Sequence, residues 1–206
     1  MEYIKNIFEA PTFEDAKKIV ITPDPIHPDK FEKGTEYLID VIAKHNIVKE
    51  NDIVLDFGCG VGRMSKALID KFNCNVIGSD IAMNMLIFST LYVNNAEKFV
   101  TCNKLTSENF VNTVISSFAL QHTENPAEEI QNLYNVLKPN GYLVLLDDHN
   151  TRYYPGGWRD DLSIIWYNDH FSIRNELEKY LVKIETVPYL YDELDIVIYQ
   201  KQVISK

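Results

Sequence analysis

Cysteine is scarce in this chain, and no hydrophobic run is long. The three cysteines (Cys59, Cys74 and Cys102) are odd in number and lack the short spacing of a metal-binding pair, so a disulfide framework is not expected. No apolar stretch approaches the roughly 20 residues that span a bilayer. The first residues also lack the basic-then-apolar order of a signal peptide. These absences predict reduced thiols, a cytoplasmic protein and no membrane partner.

Basic residues are also few. Lysine and arginine number 20 against 30 aspartates and glutamates, which gives a formal net charge of −10. A protein that grips a phosphate backbone has the opposite balance, so a nucleic-acid partner is not expected. The 206 residues suffice for one domain with a full core. We therefore expect a single domain that binds a small molecule, and we leave a homodimer open.

Apolar runs alternate with amphipathic stretches over most of the chain. Short buried strands are predicted near residues 53–55, 75–79, 99–102, 113–116 and 142–146, and residues 138–141 are predicted to form the turn before the last of them. Strands that alternate with helices indicate a mostly parallel sheet covered on both faces. Two final strands, near 182–188 and 195–200, are too close for a helical crossover, which predicts an antiparallel hairpin.

The stretch most typical of a ligand site joins the first strand to the next helix. After the strand, the chain runs Asp56-Phe-Gly58-Cys59-Gly60-Val-Gly-Arg63. Glycine lets the main chain turn sharply and come close to a ligand. Asp80 ends the next strand, where a carboxylate can accept hydrogen bonds from both hydroxyls of a ribose. The spacing predicts a nucleoside site.

A dinucleotide is disfavoured because the G-x-G-x-x-G fingerprint is incomplete. If Gly58 and Gly60 are its first two glycines, Arg63 occupies the third position, and the frame that starts at Gly60 places a serine there. The carboxylate of Asp56 would also be unfavourable beside a pyrophosphate. S-adenosylmethionine has no phosphate and carries a sulfonium and an ammonium, so it fits an acidic loop better.

Four motifs together resemble those of class I S-adenosylmethionine-dependent methyltransferases, of the small-molecule methyltransferase-11 and -25 type. They are Asp56-x-Gly58-x-Gly60-x-Gly62, Gly78-Ser-Asp80-Ile-Ala-Met-Asn-Met85, Ile115-Ser-Ser-Phe-Ala-Leu-Gln-His122 and Leu137-Lys-Pro-Asn-Gly-Tyr-Leu143. They follow the family's order and intervals over roughly residues 50–147. The resemblance implies a Rossmann-like α/β fold: a seven-stranded, mostly parallel sheet with an antiparallel carboxy-terminal hairpin and helices on both faces.

The resemblance also implies a donor, S-adenosylmethionine, with S-adenosylhomocysteine as product and no metal. Its methionine end is expected at Asp56, Gly58, Cys59 and Gly60, and its ribose at Asp80. The remaining donor contacts are expected at Ile81 for the adenine face, Asn103 for the adenine amine and Ser117 for the ammonium group. Asn103 departs from the family, which often has an acidic residue there.

Three residues are candidates for proton transfer: His122, Asp148 and His149. A histidine at position 122 could take a proton from an acceptor near neutral pH, or could only cap the following loop. Asp148 and His149 follow the strand at 142–146, at the edge where open α/β sheets bind ligands, although an exposed polar turn is the alternative. A base is needed only if the acceptor must lose a proton.

The predicted organisation is one methyltransferase domain over residues 1–206. Its parts are a helical cap at 1–47, a donor-binding core at 48–147, an aromatic lid insertion at 148–172, and a carboxy-terminal helix and hairpin at 173–206. The expected activity is methyl transfer to an oxygen or nitrogen of a small molecule. The alternatives are a protein methyltransferase and a non-catalytic binding module with the same fold.

Overall fold

Helices and strands alternate along the chain in the computed structural model, which describes residues 8–21, 26–147, 157–159, 164–166, 170–191 and 194–203. The helices are α1 (Phe13–Val20), α2 (Lys30–Lys44), α3 (Arg63–Phe72), α4 (Met83–Val93), a 3-10 turn (Leu120–His122), α5 (Pro126–Val136) and α6 (His170–Leu177). The strands are β1 (Ile53–Phe57), β2 (Asn75–Ser79), β3 (Phe99–Cys102), β4 (Val111–Ser117), β5 (Leu137–Leu146), β6 (Gly157–Arg159), β7 (Ile164–Trp166), β8 (Val182–Pro188) and β9 (Asp195–Gln200).

Seven of these strands form the central sheet, in the order β3-β2-β1-β4-β5-β9-β8. The first five are parallel, while β9 runs antiparallel to β5 and β8 antiparallel to β9. The predicted α/β fold and its terminal hairpin are confirmed. Because the chain moves outward in one direction from β1 and in the other from β4, a crevice opens between the carboxyl ends of these two strands.

The core lies on both faces of the sheet, and β1 shows why. Successive residues of a strand point to opposite faces. Val54 packs in the cluster that contains α2 and α3, and Leu55 packs in the cluster that contains α5 and α6. Asp56 shares the side of Val54, so its carboxylate points toward α3.

Helices α5 and α6 follow from local features of the sequence. Asn125 caps α5, since its side chain accepts a hydrogen bond from the Glu128 amide at 3.4 Å. Ile173 and Leu177, four positions apart on α6, are fully buried.

The turn predicted at residues 138–141 was wrong in detail, because the structure has this segment inside β5. Asn140 has a φ of +63°, which makes the segment irregular. Its amide donates to the Lys201 carbonyl at 2.8 Å, and the Lys201 amide donates to the Gly141 carbonyl at 2.9 Å. These bonds to the end of the chain extend the strand pairing through the expected turn.

The first described segment, residues 8–21, packs against the glycine loop between β1 and α3. Thr12 caps α1 by accepting a hydrogen bond from the Asp15 amide at 3.2 Å. Ala10 and Ala16 then pack with Val61 of the loop, in a small cluster that also contains Ala82 and Met85. The packing places α1 beside the predicted donor site. Of the helical cap predicted at 1–47, residues 1–7 and 22–25 lie outside the described part of the chain.

Most of the predicted aromatic lid, residues 148–172, also lies outside the described residues. Within it the structure describes β6 and β7, which pair antiparallel as a separate two-stranded sheet, and the start of α6. Among the described residues, no helix combines the length and the apolar character needed to cross a bilayer.

Candidate functional site

The glycine loop after β1 adopts a left-handed backbone that closely packed neighbours reserve for glycine. Gly58 has a φ of +69° and Gly60 a φ of +52°. A Cβ atom on Gly58 would lie 2.4 Å from the Cβ of Ala119, and one on Gly60 would lie 2.6 Å from Cγ2 of Val20. Both the backbone conformation and the close contacts therefore exclude a side chain at these two positions. The loop is held between the turn after β4 and helix α1.

Three amide groups of this loop, those of Cys59, Gly60 and Gly62, donate to acceptors within the protein. The Cys59 amide donates to the carbonyl of Ser79, and the Gly62 amide to the carbonyl of Cys59, both at 2.9 Å. The Gly60 amide donates to Oδ2 of Asp80 at 2.9 Å. A pyrophosphate site needs such amides free to point at the ligand. The loop therefore suits a nucleoside ligand without phosphate.

Asp80 is held rigidly at the end of β2. Its Oδ2 accepts from the Gly60 amide, and its Oδ1 accepts from the Ala82 amide at 2.9 Å. Burial raises the pKa of this carboxyl above its ordinary value, while the backbone amides of Ala82, Gly60 and Ile81 oppose that rise. Each carboxylate oxygen can accept a second hydrogen bond. Asp80 therefore joins loop and strand and can still accept from two hydroxyl groups.

Asp56 lies beneath the loop and does not face solvent. Its carboxylate is 1% exposed and accepts a hydrogen bond from Oγ of Ser65 at 2.6 Å. Burial raises its pKa to about 6, against the effects of the Ser65 hydroxyl and the charge of Arg63. The side chain thus braces the start of α3 against the end of β1.

The raised pKa of Asp56 predicts a fall in stability as pH rises. Between the ordinary value of 3.8 and about 6, the folded protein holds a proton that the unfolded chain has released. The contribution of Asp56 to the free energy of unfolding should therefore fall over this window, by up to about 3 kcal/mol for a shift of about two pKa units. Asp56→Asn cannot ionise and should show a flatter profile in urea unfolding between pH 4 and pH 7.

Asp70→Asn is the matched control, because Asp70 is an exposed carboxylate on the same helix α3. This variant should retain the wild-type pH dependence. Equal slopes for wild type and Asp56→Asn would contradict the assignment of this titration to Asp56.

Cys59 fills space between the loop and β2. Its side chain is buried, and Sγ would lie 3.0 Å from a Cβ on Gly78. Burial raises the pKa of the thiol well above its ordinary value, so Cys59 is a protonated packing residue at neutral pH.

Three further predicted donor residues follow the neighbouring strands. Ile81, next to Asp80, is 44% exposed, so part of its apolar side chain is accessible to a ligand. Asn103 is exposed just after β3, and Ser117 is half-buried at the end of β4. With the glycine loop, they lie at the carboxyl ends of β1 to β4, along one edge of the sheet.

An open cavity of about 440 Å³ lies between α4 and β3. Its lining is mostly apolar, from Met83, Leu86, Ile87, Thr90, Leu91, Thr101, Cys102 and Asn103. Only Asn103 belongs to the predicted donor residues. The cavity therefore adjoins the adenine end of the predicted site at the outer edge of the sheet, and it does not include the glycine loop.

Of the proton-transfer candidates, the structure describes only His122. It ends the 3-10 turn after β4, half-buried, with its ring 5.4 Å from the ring of Phe8. Asp148 and His149 lie outside the described residues. Their neighbour Asp147 is 1% exposed and paired with Arg174, Oδ1 to Nη2 at 3.1 Å, so it joins β5 to α6.

Two residues at the crevice were missed at the sequence level. Phe118 has a φ of +58°, which is costly for a bulky side chain and typical of functional turns. Its amide donates to the Leu146 carbonyl at 2.7 Å, which holds the turn in place and sets Ala119 against Gly58. Arg63 is buried at the start of α3. A positive φ at phenylalanine has no sequence signal, and an arginine at a helix start is usually exposed.

Known proteins identify this arrangement. A family model described as a methyltransferase domain matches residues 31–185 of the chain. The chain belongs to the class I S-adenosylmethionine-dependent methyltransferases. The family predicted from the four motifs is thereby confirmed.

The relatives of this chain are named for different acceptors. The chain is 25% identical over 171 residues to a malonyl-[acyl-carrier protein] O-methyltransferase of Calditerrivibrio nitroreducens, covering 78% of this chain and 64% of the relative. It is also 25% identical over 120 residues to phosphoethanolamine N-methyltransferase 1 of Arabidopsis thaliana, covering 55% of this chain and 24% of the relative. The chain thus spans less than two thirds of the length of these curated relatives.

A solved structure shows the same fold. The N-methyltransferase NodS of Bradyrhizobium japonicum, in complex with S-adenosylhomocysteine, superposes with a TM-score of 0.68 at 14% identity and covers 92% of this chain and 97% of NodS. Within the described part of the chain, no three histidine, cysteine or acidic side chains come together as a metal site.

Proposed function

We propose that the protein transfers a methyl group from S-adenosylmethionine to an oxygen or nitrogen of a small-molecule acceptor. One observation carries the donor assignment: the loop amides are bonded to Ser79, Asp80 and Cys59, while Asp80 keeps acceptor capacity toward the crevice. This arrangement favours a ligand with ribose hydroxyls and without a pyrophosphate.

The chain offers a contact for each part of the donor. The glycine loop would approach the methionine arm, Asp80 would accept from the ribose hydroxyls, and Ile81 would lie against the adenine face. Asn103 and Ser117 would contact the adenine amine and the ammonium group, at opposite ends of this edge of the sheet. When bound, the donor supplies a methyl group that is already activated on a sulfonium. The chain must then align the acceptor and exclude water.

A small acceptor is favoured by the surroundings of the crevice. Helix α1 contacts the glycine loop at Gly60, and Phe8 packs against His122 on the far side. The first described segment therefore covers part of the crevice, which favours an acceptor small enough to enter beside it. The net charge of −10 disfavours RNA. The relatives' names include both an O- and an N-methyltransferase, which supports either atom as acceptor.

His122 is the proposed proton acceptor where an acceptor must lose a proton. Its ring lies at the end of the turn that follows Ser117, on the crevice side of β4. Asp148 and His149 remain candidates for the same role from the end of β5. A histidine base would give a rate that rises through the pKa of the imidazole, whereas a positioning role would not.

The test is methyl transfer from labelled S-adenosylmethionine to three pools: a metabolite extract, a protein extract and bulk RNA. We expect label in the metabolite pool and formation of S-adenosylhomocysteine, and neither with Asp80→Asn. Label confined to protein or to RNA would refute a small-molecule acceptor. Donor binding without any S-adenosylhomocysteine would favour the non-catalytic binding module.

A further inference from the structure

Arg63 is a buried cation among the described residues that has no carboxylate partner. Its side chain is 5% exposed, and none of its nitrogens lies within the 4.0 Å of a carboxylate oxygen that defines an ion pair. Arg174, which is also largely buried, shows the usual solution, since it pairs with both Asp147 and Asp195. A buried charge without a partner costs several kcal/mol unless something compensates it.

Two hydroxyl groups hold the guanidinium in place but do not neutralise it. Nη1 donates to Oγ1 of Thr35 at 2.6 Å, and Nη2 donates to Oγ of Ser117 at 3.2 Å. The Thr35 hydroxyl donates a hydrogen bond to the Phe31 carbonyl, so its oxygen is oriented as an acceptor. Nε is buried and has no hydrogen-bond partner. Of the five N–H donors of a guanidinium, three are thus left for a further acceptor.

The nearest acidic group does not fill this role. Asp56 interacts electrostatically with Arg63, but its carboxylate accepts from Ser65 and not from the guanidinium. Burial also raises the pKa of Asp56 to about 6, which weakens it as a counter-ion below neutral pH. Within the described residues no anion is hydrogen-bonded to this guanidinium, so its remaining N–H donors suit an anionic ligand.

The position of the guanidinium identifies the anion. Arg63 directly follows Gly62 of the glycine loop, and Ser117, which it contacts, ends β4 across the crevice. This is the methionine end of the proposed donor site, so the inference rests on the proposed function. We infer that Arg63 binds the α-carboxylate of the methionine arm and provides a large part of the affinity for S-adenosylmethionine.

Arg63 is a binding residue in this proposal, and a ligand that lacks the carboxylate tests it. S-adenosylhomocysteine and its decarboxylated analogue are titrated by calorimetry into wild type, Arg63→Met and Arg63→Lys. A charge-assisted hydrogen-bonded pair corresponds to roughly 10- to 100-fold in affinity. Arg63→Met should lose that factor for S-adenosylhomocysteine and change by less than about threefold for the analogue. Arg63→Lys keeps the charge but not the planar set of N–H donors of a guanidinium, so its affinity for S-adenosylhomocysteine should lie between those of wild type and Arg63→Met.

Thermal unfolding without ligand separates binding from folding. Because Arg63 is unpaired, Arg63→Met should melt no lower than wild type. The matched control is Arg174→Met, which removes the ion pair with the buried Asp147 and should melt several degrees lower. Titrated at a temperature at which it is folded, Arg174→Met should keep the wild-type ratio of the affinity for S-adenosylhomocysteine to the affinity for the decarboxylated analogue.

The outcomes separate this inference from the proposed function. If wild type binds neither ligand, the proposed function fails and the inference fails with it. If wild type binds S-adenosylhomocysteine and Arg63→Met binds it equally well, only the inference fails. Equal weakening for both ligands would also overturn it, since that result indicates a structural role. Unchanged S-adenosylhomocysteine binding with lost methyl transfer would assign the anion to the acceptor instead.

Discussion

Asp80→Asn is expected to weaken S-adenosylhomocysteine binding by about 100-fold or more. The wild-type carboxylate accepts from the amides of Gly60 and Ala82, so one oxygen faces each donor. Asparagine has one oxygen and one NH2 group, and its NH2 must face one of these amides. The variant also loses the charge that strengthens two hydrogen bonds from the ribose hydroxyls, each of about 1.5–3 kcal/mol. Calorimetric titration measures this directly.

The control for Asp80→Asn is Asp70→Asn, which removes the same charge from an exposed pair with Lys66 on α3. It should bind S-adenosylhomocysteine within about twofold of wild type, since an exposed pair contributes little. If Asp80→Asn retained affinity within about threefold while remaining folded, the ribose role of Asp80 would be wrong. The proposed donor site would then lose its main polar contact.

Gly58→Ala is expected to lower the free energy of unfolding by about 2–5 kcal/mol. The left-handed backbone at φ +69° costs a residue with a Cβ roughly 1–2 kcal/mol. The added methyl group would also lie 2.4 Å from the Cβ of Ala119, and overpacking of this kind costs about 1–3 kcal/mol. Denaturant unfolding measures the sum. Donor affinity should fall as well, because the clash moves the loop away from the turn after β4.

The double variant Gly58→Ala with Ala119→Gly separates these two contributions. Removing the Ala119 methyl group leaves its Cα as the nearest atom, at 3.5 Å, an ordinary contact. After correction for Ala119→Gly alone, the double variant should recover the packing part and keep only the backbone cost of about 1–2 kcal/mol. If Gly58→Ala were as stable as wild type, or the double variant recovered nothing, the described packing of the loop would be contradicted.

Much of the fold could be read from local patterns. The buried strand at β1 and the capped helix α5 follow from the periodicity of apolar residues and from side chains at helix ends, which act over a few positions. The antiparallel hairpin of β8 and β9 followed from the short link between them, which excludes a crossover. The prediction of a turn at 138–141 was wrong, because the residue that pairs with this segment, Lys201, is distant in sequence.

The candidate site was also predictable only in part. Spacing alone placed Asp56, the glycines and Asp80 at the ends of adjacent strands, since parallel strands align their carboxyl ends. Spacing could not show that the loop amides are already bonded to the protein, although this observation decides against a pyrophosphate. Hydrogen-bond partners depend on how β2 lies beside the loop, which no local pattern records.

Composition, period and spacing were enough to predict the family and most of the order of elements, and they nominate the residues of the proposed nucleoside site. The burial of Arg63 between Thr35 and Ser117 and the left-handed backbone of Phe118 are visible only in the folded chain. Arg63 lies 28 and 54 positions from these two partners. Burial of a charge and strain in a turn arise from contacts between distant segments, which form only when the whole sheet has assembled.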